Sequence, residues 1–309
     1  MGGANATSNT LAGKLFGIPV AGTHAHSWVM SFPDELTAFR AYAQVFPESP
    51  LFLVDTYDTL TSGLPNALTV FQELRDSGKA VRAAIRLDSG DLSRLSKAAY
   101  RMFPEAGFAD PLIVASNELD EDLNADLKRQ GARINSWGVG THLITASNAP
   151  ALGGVYKLMA IQDKHGAWEP RIKLSSNITK MTDPGRKKVI RYRDEEGTPL
   201  ADLMYLVDEQ PQAGPRVFYA SRDELAFTMA FEEAASAEEL LLPVIRDGRR
   251  VTVTARLDDV RDRTRREIDL LPEELRRLRY PQIYLVGLSP ALGTVKADMI
   301  RHLPGVLPQ

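Results

Sequence analysis

The residues of this chain best suited to chemistry lie where an apolar run meets a polar turn. Residues 81–87 are mostly apolar and predict a buried strand, with Arg86 near its end and Asp88 just after it. Asp91 then opens an amphipathic helical pattern, so both charges lie at the carboxyl end of a strand, where α/β proteins usually bind ligands. A guanidinium suits a planar anion, and a carboxylate suits hydroxyl groups or a metal ion. A strand-end aspartate that only caps the next helix explains these residues equally well.

Composition narrows the class of protein. The chain has 309 residues, a net charge of −3 and no cysteine. The small net charge gives no indication of a nucleic-acid partner or of an anionic membrane surface. The lack of cysteine excludes disulfides, thiolate metal sites and cysteine nucleophiles, and it fits a cytoplasmic protein. No apolar run reaches membrane-spanning length, and the first residues lack a signal-peptide pattern, so we expect a cytoplasmic protein without a membrane partner.

Six apolar runs recur along the first half of the chain. They lie at residues 18–22, 51–55, 81–87, 112–115, 133–139 and 155–161. Several are nearly continuous in Val, Ile, Leu and Ala, as in parallel strands that are covered on both faces. Helical patterns separate them, and the second, third and fourth runs start about 30 residues apart, the length of a βαβ unit. The pattern predicts a parallel sheet, and polar turns at the strand ends favour a barrel over a doubly wound sheet.

One helix of this series carries signals at both ends. Leu119, Leu123 and Leu127 are spaced by four and predict one apolar face. Ser116 or Asn117 is the predicted N-cap, and Gly131 follows the predicted last turn.

The second half of the chain has a different pattern. Two hairpins are predicted, at residues 189–207 around Glu195-Glu196-Gly197 and at residues 240–255 around Asp247-Gly248. Residues 261–278 predict a helix that Pro272 divides, and a strand at 282–286 and a helix at 294–302 follow. We therefore expect a barrel domain over residues 1–165 and an antiparallel α+β domain over residues 166–309.

The predicted strand ends are rich in glycine and polar residues. Glycine-rich turns at residues 138–141 and 153–154 offer backbone N–H groups of the kind that bind phosphate, although tight loops also need glycine. Together with His, Arg and Asp at neighbouring strand ends they favour an anionic sugar-phosphate substrate. His24 and His26 follow the first run and allow three interpretations: a divalent-metal site of a barrel hydrolase, a core histidine, or a nucleophile and phosphate acceptor.

A basic cluster surrounds residues 184–185. Its members are Lys180, Arg186, Lys187, Lys188, Arg191 and Arg193. Such a cluster could contact a polyphosphate, but a run of charges is more often a solvated loop and strand edge, and we favour that interpretation.

Ordered motifs along nearly the whole chain resemble those of the nicotinate phosphoribosyltransferase family. The motifs are Thr7-Ser8-Asn9, Gly22-Thr23-His24-Ala25-His26-Ser27, Asp55-Thr56-Tyr57-Asp58, Arg86-Leu87-Asp88-Ser89-Gly90-Asp91-Leu92, Gly138-Val139-Gly140-Thr141, Leu152-Gly153-Gly154-Val155-Tyr156-Lys157-Leu158, Lys173-Leu174-Ser175, Pro184-Gly185 and Tyr280-Pro281-Gln282-Ile283-Tyr284. The resemblance implies the type II phosphoribosyltransferase fold, an irregular, TIM-like α/β barrel of parallel strands plus an α/β sandwich domain. It also implies a homodimer with active sites at the subunit interface.

The implied reaction joins nicotinate to phosphoribosyl pyrophosphate, giving nicotinate mononucleotide and pyrophosphate, with coupled ATP hydrolysis. By the resemblance, Arg86 would pair with the nicotinate carboxylate, a bidentate contact that lysine does not reproduce. Asp88 would hold the ribose hydroxyls or the Mg²⁺ that accompanies phosphoribosyl pyrophosphate. His26 matches the phosphorylated histidine of the family, so ATP would transiently form phosphohistidine there. These three residues are the expected catalytic residues of an enzyme of NAD salvage.

Other matched positions imply substrate binding. Thr7, Ser8 and Asn9 would lie near the pyridine ring, where a neutral side chain admits a carboxylate. Asp55 and Tyr57 are also expected to contact substrate. The residues expected to hold the 5′-phosphate are Gly138, Gly140, Thr141, Gly153 and Gly154.

The family pattern includes a segment ahead of the part matched here. That segment ends in Glu-Phe-Gly-x-Arg-Arg, shortly before the Gly-Gly pair that is Gly2-Gly3 in this chain. We therefore expect the first barrel strands and part of the sandwich domain to be missing. A truncated inactive fragment, one half of a split enzyme and a nicotinamide-using relative remain alternatives to the nicotinate enzyme, beside the metal-dependent hydrolase built on His24 and His26.

Overall fold

The chain folds into two compact units. The computed structural model describes residues 3–175, 181–222 and 228–302. One unit comprises residues 5–153, and the other comprises residues 154–309 with residues 1–4. The domain boundary after residue 165 stays a prediction. None of the helices in the described ranges is long and apolar enough to cross a bilayer.

The unit of residues 5–153 alternates helices with the strands of a parallel sheet. Its elements are α1 (Thr10–Phe16), α2 (His26–Met30), α3 (Glu35–Val45), β1 (Leu51–Leu53), a π-helical turn (Thr59–Gly63), α4 (Leu64–Asp76), β2 (Ala84–Leu87), α5 (Leu92–Glu105), β3 (Leu112–Ala115), α6 (Glu121–Arg129), β4 (Ser136–Trp137) and α7 (Thr141–Thr145). The sheet order is β1-β2-β3-β4, and every pairing is parallel. The predicted α/β class is confirmed, and closure into a barrel stays a prediction.

Two of the six predicted strands are wrong as members of this sheet. Residues 18–22 form only one isolated bridge, between Thr7 and Val20, because Pro19 has no N–H to donate to a ladder. In residues 155–161 the side chains of Val155 and Tyr156 are exposed, and only the end of the run enters a strand. That strand is β5 (Ala160–Gln162), which pairs antiparallel with β6 (Trp168–Pro170) in a separate hairpin.

Aromatic side chains form the core between this sheet and its helices. Phe39 of α3, Phe52 of β1 and Phe71 of α4 are fully buried. The rings of Phe39 and Phe52 stack with centroids 4.7 Å apart, and those of Phe52 and Phe71 lie 4.9 Å apart. Burial of these faces holds the helices on the sheet and so fixes where the strands end.

The start of α6 differs from the prediction. The helix begins at Glu121, and its N-cap is Asp120, whose side chain accepts a hydrogen bond from the Leu123 N–H at 2.7 Å. Ser116 and Asn117 are not the cap, because Asn117 and Glu118 have positive φ angles of 77° and 37° that turn the chain before the helix. Ser116 is therefore free to contact other residues at the end of β3.

The second unit contains a mostly antiparallel sheet with helices. Its elements after β6 are β7 (Lys187–Arg193), β8 (Pro199–Leu206), β9 (Val217–Ala220), β10 (Thr228–Phe231), β11 (Ser236–Glu239), β12 (Ile245–Arg246), β13 (Arg249–Arg250), α8 (Leu257–Asp269), α9 (Glu273–Arg276), β14 (Val286–Leu288) and α10 (Pro290–His302). The main sheet has the order β10-β9-β14-β8-β7-β11, with β14 parallel to β8.

Most predicted elements of this unit are confirmed, with shifted ends. Strands β7 and β8 form the first hairpin, and β12 and β13 form a short second one around Asp247-Gly248. Pro272 separates α8 from α9 as predicted. The last strand starts at Val286 rather than at Gln282, because the Gln282 N–H donates to the Glu274 carbonyl instead of to a strand.

Three residues of the basic cluster form ion pairs. Arg191 makes two hydrogen bonds of 2.8 Å to Asp202, and Arg193 contacts Glu267 at 2.8 Å. Lys188 pairs with Glu239 on β11, also at 2.8 Å. Lys180 lies outside the described residues. The predicted solvated strand edge is wrong for Arg191 and Arg193, because β7 lies between β8 and β11 and these side chains are 23% and 12% exposed.

Candidate active site

The carboxyl ends of three neighbouring strands bring the predicted residues together. Because β1, β2 and β3 run parallel side by side, their carboxyl ends lie at the same edge of the sheet. Asp55 follows β1, Asp88 follows β2 and Ser116 follows β3. His26 begins α2 and contacts the residues that follow β1 and β2. This edge therefore carries the candidate active site.

Arg86 is held by three oxygen acceptors. Its Nε–H donates to Ser116 Oγ at 2.7 Å, and Nη1 donates to Thr23 Oγ1 at 2.8 Å. Nη2 donates to Asp88 Oδ1 at 2.7 Å. The guanidinium is thus fixed at the end of β2 and is still partly exposed.

Asp88 is kept ionised by its neighbours. Burial acts to raise the pKa of this carboxyl, but hydrogen bonds from Ser116 and Arg86 outweigh it, and the pKa lies below the usual aspartate value. The positive charge of Arg86 lowers the pKa further. The helix-capping alternative is wrong for Asp88, because Asp91 caps α5 by accepting from the Arg94 N–H at 2.9 Å.

Asp55 lies beneath His26. One carboxylate oxygen, Oδ2, accepts hydrogen bonds from the Asp88 N–H at 2.8 Å and from the Ser89 hydroxyl at 2.6 Å. The other oxygen, Oδ1, is buried without a hydrogen-bond partner and lies 4.0 Å from His26 Nε2. The Asp55 side chain is 3% exposed, so water has little access to this carboxylate.

His26 presents its two ring nitrogens to different partners. Nδ1 lies 3.1 Å from Thr56 Oγ1, while Nε2 lies 3.5 Å from Asp88 Oδ2. The side chain is 39% exposed and can meet a ligand from solvent. An accessible imidazole beside two carboxylates suits a phosphoryl acceptor or a proton carrier.

His24 has a structural role instead. Its Nε2 accepts the Leu53 N–H at 3.2 Å, and its ring packs edge-on against Tyr42 with centroids 4.7 Å apart. Burial lowers its pKa, which keeps the ring neutral. Since Nε2 is already an acceptor for backbone, the geometry does not suit a metal site shared by His24 and His26. Within residues 3–175, 181–222 and 228–302, no group of three or more His, Cys, Asp or Glu side chains is arranged to hold a metal ion.

The turn after β1 depends on a glycine. Asp58 caps the π-helical turn by accepting the N–H groups of Leu60 and Thr61 at 3.0 and 2.7 Å. The turn folds back on β1 so closely that a Cβ on Gly63 would lie 1.9 Å from the Val54 carbonyl oxygen. This contact fixes the backbone that precedes Asp55.

The remaining predicted substrate residues are not joined to this cluster by hydrogen bonds. Thr7 accepts the Asn9 N–H at 3.1 Å, and Asn9 caps α1 by accepting the Ala12 N–H at 2.9 Å. Ser8 and Tyr57 have exposed side chains. Their contacts with a substrate stay predictions.

The first predicted phosphate turn lies at the same sheet edge. A Cβ on Gly138 would stand 3.4 Å from Ser116 Cβ, so this turn borders the cluster. At Gly140 no atom lies within 4 Å of a Cβ position, and Thr141 begins α7. Gly153 ends one compact unit and Gly154 begins the other, so their place in a phosphate site stays a prediction.

Four contributors to the cluster were not assigned as site residues by sequence reasoning. They are Thr23, Thr56, Ser89 and Ser116. Each lies within three residues of an assigned position or directly after a strand, and that location is the signal which could have identified them. A cavity of about 670 Å³ lined by Arg75, Lys79 and Arg82 lies near the other end of β2 and takes no part in the cluster.

Comparisons with known proteins identify the family. The model of the nicotinate phosphoribosyltransferase (NAPRTase) family matches residues 4–196, and that of the nicotinate phosphoribosyltransferase C-terminal domain matches residues 186–296. The chain belongs to the nicotinate phosphoribosyltransferase family.

Two curated members of this family share substantial identity with the chain. The nicotinate phosphoribosyltransferase of Bacillus subtilis is 45% identical over 98% of this chain and 61% of its own length. The Homo sapiens protein of the same name is 34% identical over 94% of this chain and 63% of its own length. The chain thus spans about three fifths of the length of these nicotinate phosphoribosyltransferases.

One solved structure of a family member agrees with this membership, and a second matches in fold. The crystal structure of human nicotinic acid phosphoribosyltransferase matches with a TM-score of 0.78 and 29% identity, covering 96% of this chain and 65% of that one. A nicotinate-nucleotide pyrophosphorylase from Pyrococcus furiosus matches with a TM-score of 0.58 at 18% identity over 86% of this chain and 59% of its own. The second match supports the fold alone.

Proposed function

We propose that this chain carries the catalytic residues of a nicotinate phosphoribosyltransferase. The enzyme joins nicotinate to phosphoribosyl pyrophosphate and releases nicotinate mononucleotide and pyrophosphate. The observation that supports this proposal best is the cluster of Arg86, Asp88 and His26 at one sheet edge, within a chain of that family.

Arg86 would bind the carboxylate of the base. Two of the five N–H groups of a guanidinium remain after its bonds to Ser116, Thr23 and Asp88, one on each terminal nitrogen. A carboxylate can accept both, and such charge-assisted pairs are stronger than neutral hydrogen bonds. The contact would orient the pyridine nitrogen toward the sugar.

Asp88 would face the sugar, and the buried Asp55 carboxylate accepts the Asp88 N–H. Departure of pyrophosphate from ribose C1 builds positive charge on the ring, and a carboxylate at this place stabilises it. Asp88 Oδ2 makes no hydrogen bond within the described cluster and can accept a ribose hydroxyl. The buried Oδ1 of Asp55 has no hydrogen-bond partner in the same region.

These carboxylates also fit a Mg²⁺ ion that accompanies the substrate. Magnesium is commonly held by one or two carboxylates together with substrate phosphates. Asp88 Oδ2 is the available protein oxygen, with the unpartnered Asp55 Oδ1 behind it. When bound, the ion would neutralise charge on the leaving pyrophosphate.

His26 would accept the γ-phosphoryl group of ATP. In this step the bond between the γ-phosphorus and the bridging oxygen breaks, a bond from phosphorus to a ring nitrogen forms, and ADP leaves. The carboxylates of Asp55 and Asp88 lie 4.0 and 3.5 Å from His26 Nε2. The turn at Gly138, Gly140 and Thr141 would hold the 5′-phosphate through backbone N–H groups.

The proposal includes the oligomeric state and the cellular location of the enzyme. Family resemblance supports a homodimer with active sites at the subunit interface and a cytoplasmic location. The absence of cysteine fits the reducing compartment.

Turnover of the purified chain tests the function. With nicotinate, phosphoribosyl pyrophosphate, Mg²⁺ and ATP, we expect nicotinate mononucleotide and pyrophosphate by chromatography. Competition with nicotinamide decides the base, and we expect nicotinate to be preferred. Formation of nicotinamide mononucleotide at equal rates, or of neither product, would contradict the proposal.

Variants test the residue roles. We expect His26→Ala to abolish phosphorylation of the protein by ATP labelled at the γ-position, and Arg86→Lys to raise KM for nicotinate by about 10-fold or more. His165→Ala, in the turn between β5 and β6, is the matched histidine control and should retain both properties. Full phosphorylation of His26→Ala would refute the assignment of the acceptor.

A further inference from the structure

Ser116 is a buried serine at the centre of the Arg86 contacts. It follows the last residue of β3, and it is 6% exposed. In the sheet register Leu87 pairs with Ala115, so the next residues along the two strands, Asp88 and Ser116, come side by side. The serine is thereby placed between the charged groups of β2 and the turn at Gly138.

The hydroxyl of Ser116 forms hydrogen bonds with both Arg86 and Asp88. Its oxygen accepts the Arg86 Nε–H at 2.7 Å, and its proton is donated to Asp88 Oδ1 in a short hydrogen bond. Asp88 Oδ1 in turn accepts from Arg86 Nη2. Serine is well suited to this place because one hydroxyl is both donor and acceptor.

This arrangement occupies one edge of the guanidinium. Nε and Nη2 are the two nitrogens of the side edge, and they meet Ser116 Oγ and Asp88 Oδ1, which are bonded to each other. Thr23 Oγ1 accepts from Nη1 and donates to the His24 carbonyl at 2.9 Å, so it is also fixed in orientation. The open donors of Arg86 are then confined to its two terminal nitrogens.

We propose that Ser116 is a positioning residue for Arg86. Its hydroxyl occupies the side edge of the guanidinium, which leaves the open N–H groups of Nη1 and Nη2 to the carboxylate of the base. The inference rests on the proposed function, because the ligand it orients is nicotinate. Without the hydroxyl, the Nε–H loses its acceptor, and the side edge can rotate toward solvent or toward the incoming carboxylate. A carboxylate can then bind in more than one orientation, which weakens the productive one.

The geometric part can be measured without turnover. The ¹H–¹⁵N signal of Arg86 Nε is identified by its loss in Arg86→Lys. In Ser116→Ala we expect this signal to shift and its exchange with water to accelerate by about 10-fold, because a hydrogen bond to a charged group is lost. Ser96→Ala is the matched control, since Ser96 is fully buried and bonds to Ser93 and Arg133 instead.

The functional part is a double-mutant cycle on KM for nicotinate. We expect Ser116→Ala to raise this KM by about 10-fold in the parent chain and by less than about 2-fold in the Arg86→Lys background, because the serine acts through the guanidinium. Ser96→Ala should leave the KM for nicotinate unchanged in both backgrounds. An equal effect of Ser116→Ala in both backgrounds would show that the serine acts without Arg86, and the positioning role would be wrong.

Failure of the inference and failure of the function give different results. If the parent chain forms nicotinate mononucleotide but Ser116→Ala matches Ser96→Ala in KM and in the Arg86 signal, the positioning role is overturned and the function stands. If the parent chain neither binds nor converts nicotinate, the proposed function fails. An Arg86 signal that then responds to Ser116→Ala still supports the positioning of the side chain, and one that does not respond overturns it.

Discussion

At the scale of single residues, two histidines separated by one residue have opposite environments. His24 is buried and bonded to backbone through Nε2, whereas His26 is exposed to solvent and faces two carboxylates. Composition and spacing could not separate them, because both follow the same apolar run. Only the family motif distinguished them, and the burial of His24 supplies the physical reason.

The buried His24 predicts a pH dependence of stability. Burial lowers its pKa more than the bond to the Ala25 carbonyl raises it, and Arg86 and His26 lower it further. The unfolded chain therefore takes up the proton first as the pH falls below 6.5, so the free energy of unfolding decreases there.

We expect His24→Gln to remove this part of the decrease. Glutamine keeps an acceptor for the Leu53 N–H but does not titrate. Urea unfolding of the parent and the variant across pH 6.5 measures the difference, with His165→Gln as control. Identical slopes in the parent and in His24→Gln would contradict the structural role of His24.

Thr56 predicts an effect on His26. Its hydroxyl contacts Nδ1 at 3.1 Å and so helps to fix the orientation of the ring. We expect Thr56→Val, which keeps the shape, to slow phosphorylation of His26 by about 5-fold, the loss of one hydrogen bond. Thr69→Val on α4 removes a hydroxyl that bonds only within its own helix, and it should leave the rate unchanged. Equal rates in the two variants would remove Thr56 from the mechanism.

At the scale of elements, the sequence predicted the strands and helices whose positions follow from the hydrophobic pattern. Strands β1, β2 and β3 and their helices follow from the repeat of about 30 residues, and this repeat places Arg86 and Asp88 correctly. It failed at residues 18–22, where Pro19 lacks an N–H and only one bridge to Thr7 forms. It also could not supply the contacts of Ser116 or Thr23, since these depend on register between strands and on side-chain direction rather than on local pattern.

The π-helical turn after β1 predicts a glycine requirement. Because a Cβ on Gly63 would overlap the Val54 carbonyl at 1.9 Å, Gly63→Ala must move backbone rather than a flexible side chain. We expect a loss of about 3 kcal/mol in the free energy of unfolding. We also expect a fall in activity, since Val54 precedes Asp55. Gly22→Ala is the control, because no atom lies within 4 Å of its Cβ position. A Gly63→Ala chain as stable as Gly22→Ala would refute the close contact.

At the scale of the whole molecule, each compact unit has its own core. The unit of residues 5–153 is built around Phe39, Phe52 and Ile85 and carries the candidate active site. The other unit buries Tyr192, Leu203 and Val217 in one cluster and Leu288 with Leu292 in another. Several charged residues of the second unit form ion pairs within it, among them Arg191 with Asp202, Arg193 with Glu267 and Lys296 with Asp183.

The most buried of these ion pairs, Lys296 with Asp183, predicts where a substitution destabilises the second unit. Lys296 of α10 is 3% exposed, and its Nζ donates to Asp183 Oδ1 at 2.8 Å and to the Arg222 carbonyl at 3.0 Å. Lys296→Met would leave the buried Asp183 carboxylate with the ion pair from Arg222, while Lys187 donates to the Asp183 carbonyl. Because removal of one partner of a buried pair leaves a poorly compensated charge, we expect a loss of about 3 kcal/mol.

Hydrogen exchange followed by mass spectrometry measures this loss within the unit. We expect faster exchange in β8, whose residues pack against α10 beside Leu288 and Leu292. The double variant Lys296→Met with Asp183→Asn should recover part of the protection, because neutralising the carboxyl removes the uncompensated charge. Lys164→Met, at an exposed position, controls for the loss of a lysine charge. If Lys296→Met exchanges no faster than Lys164→Met, the ion pair of Lys296 with Asp183 contributes nothing to the stability of the unit. The burial of Lys296 would then be explained by packing of the lysine stem alone.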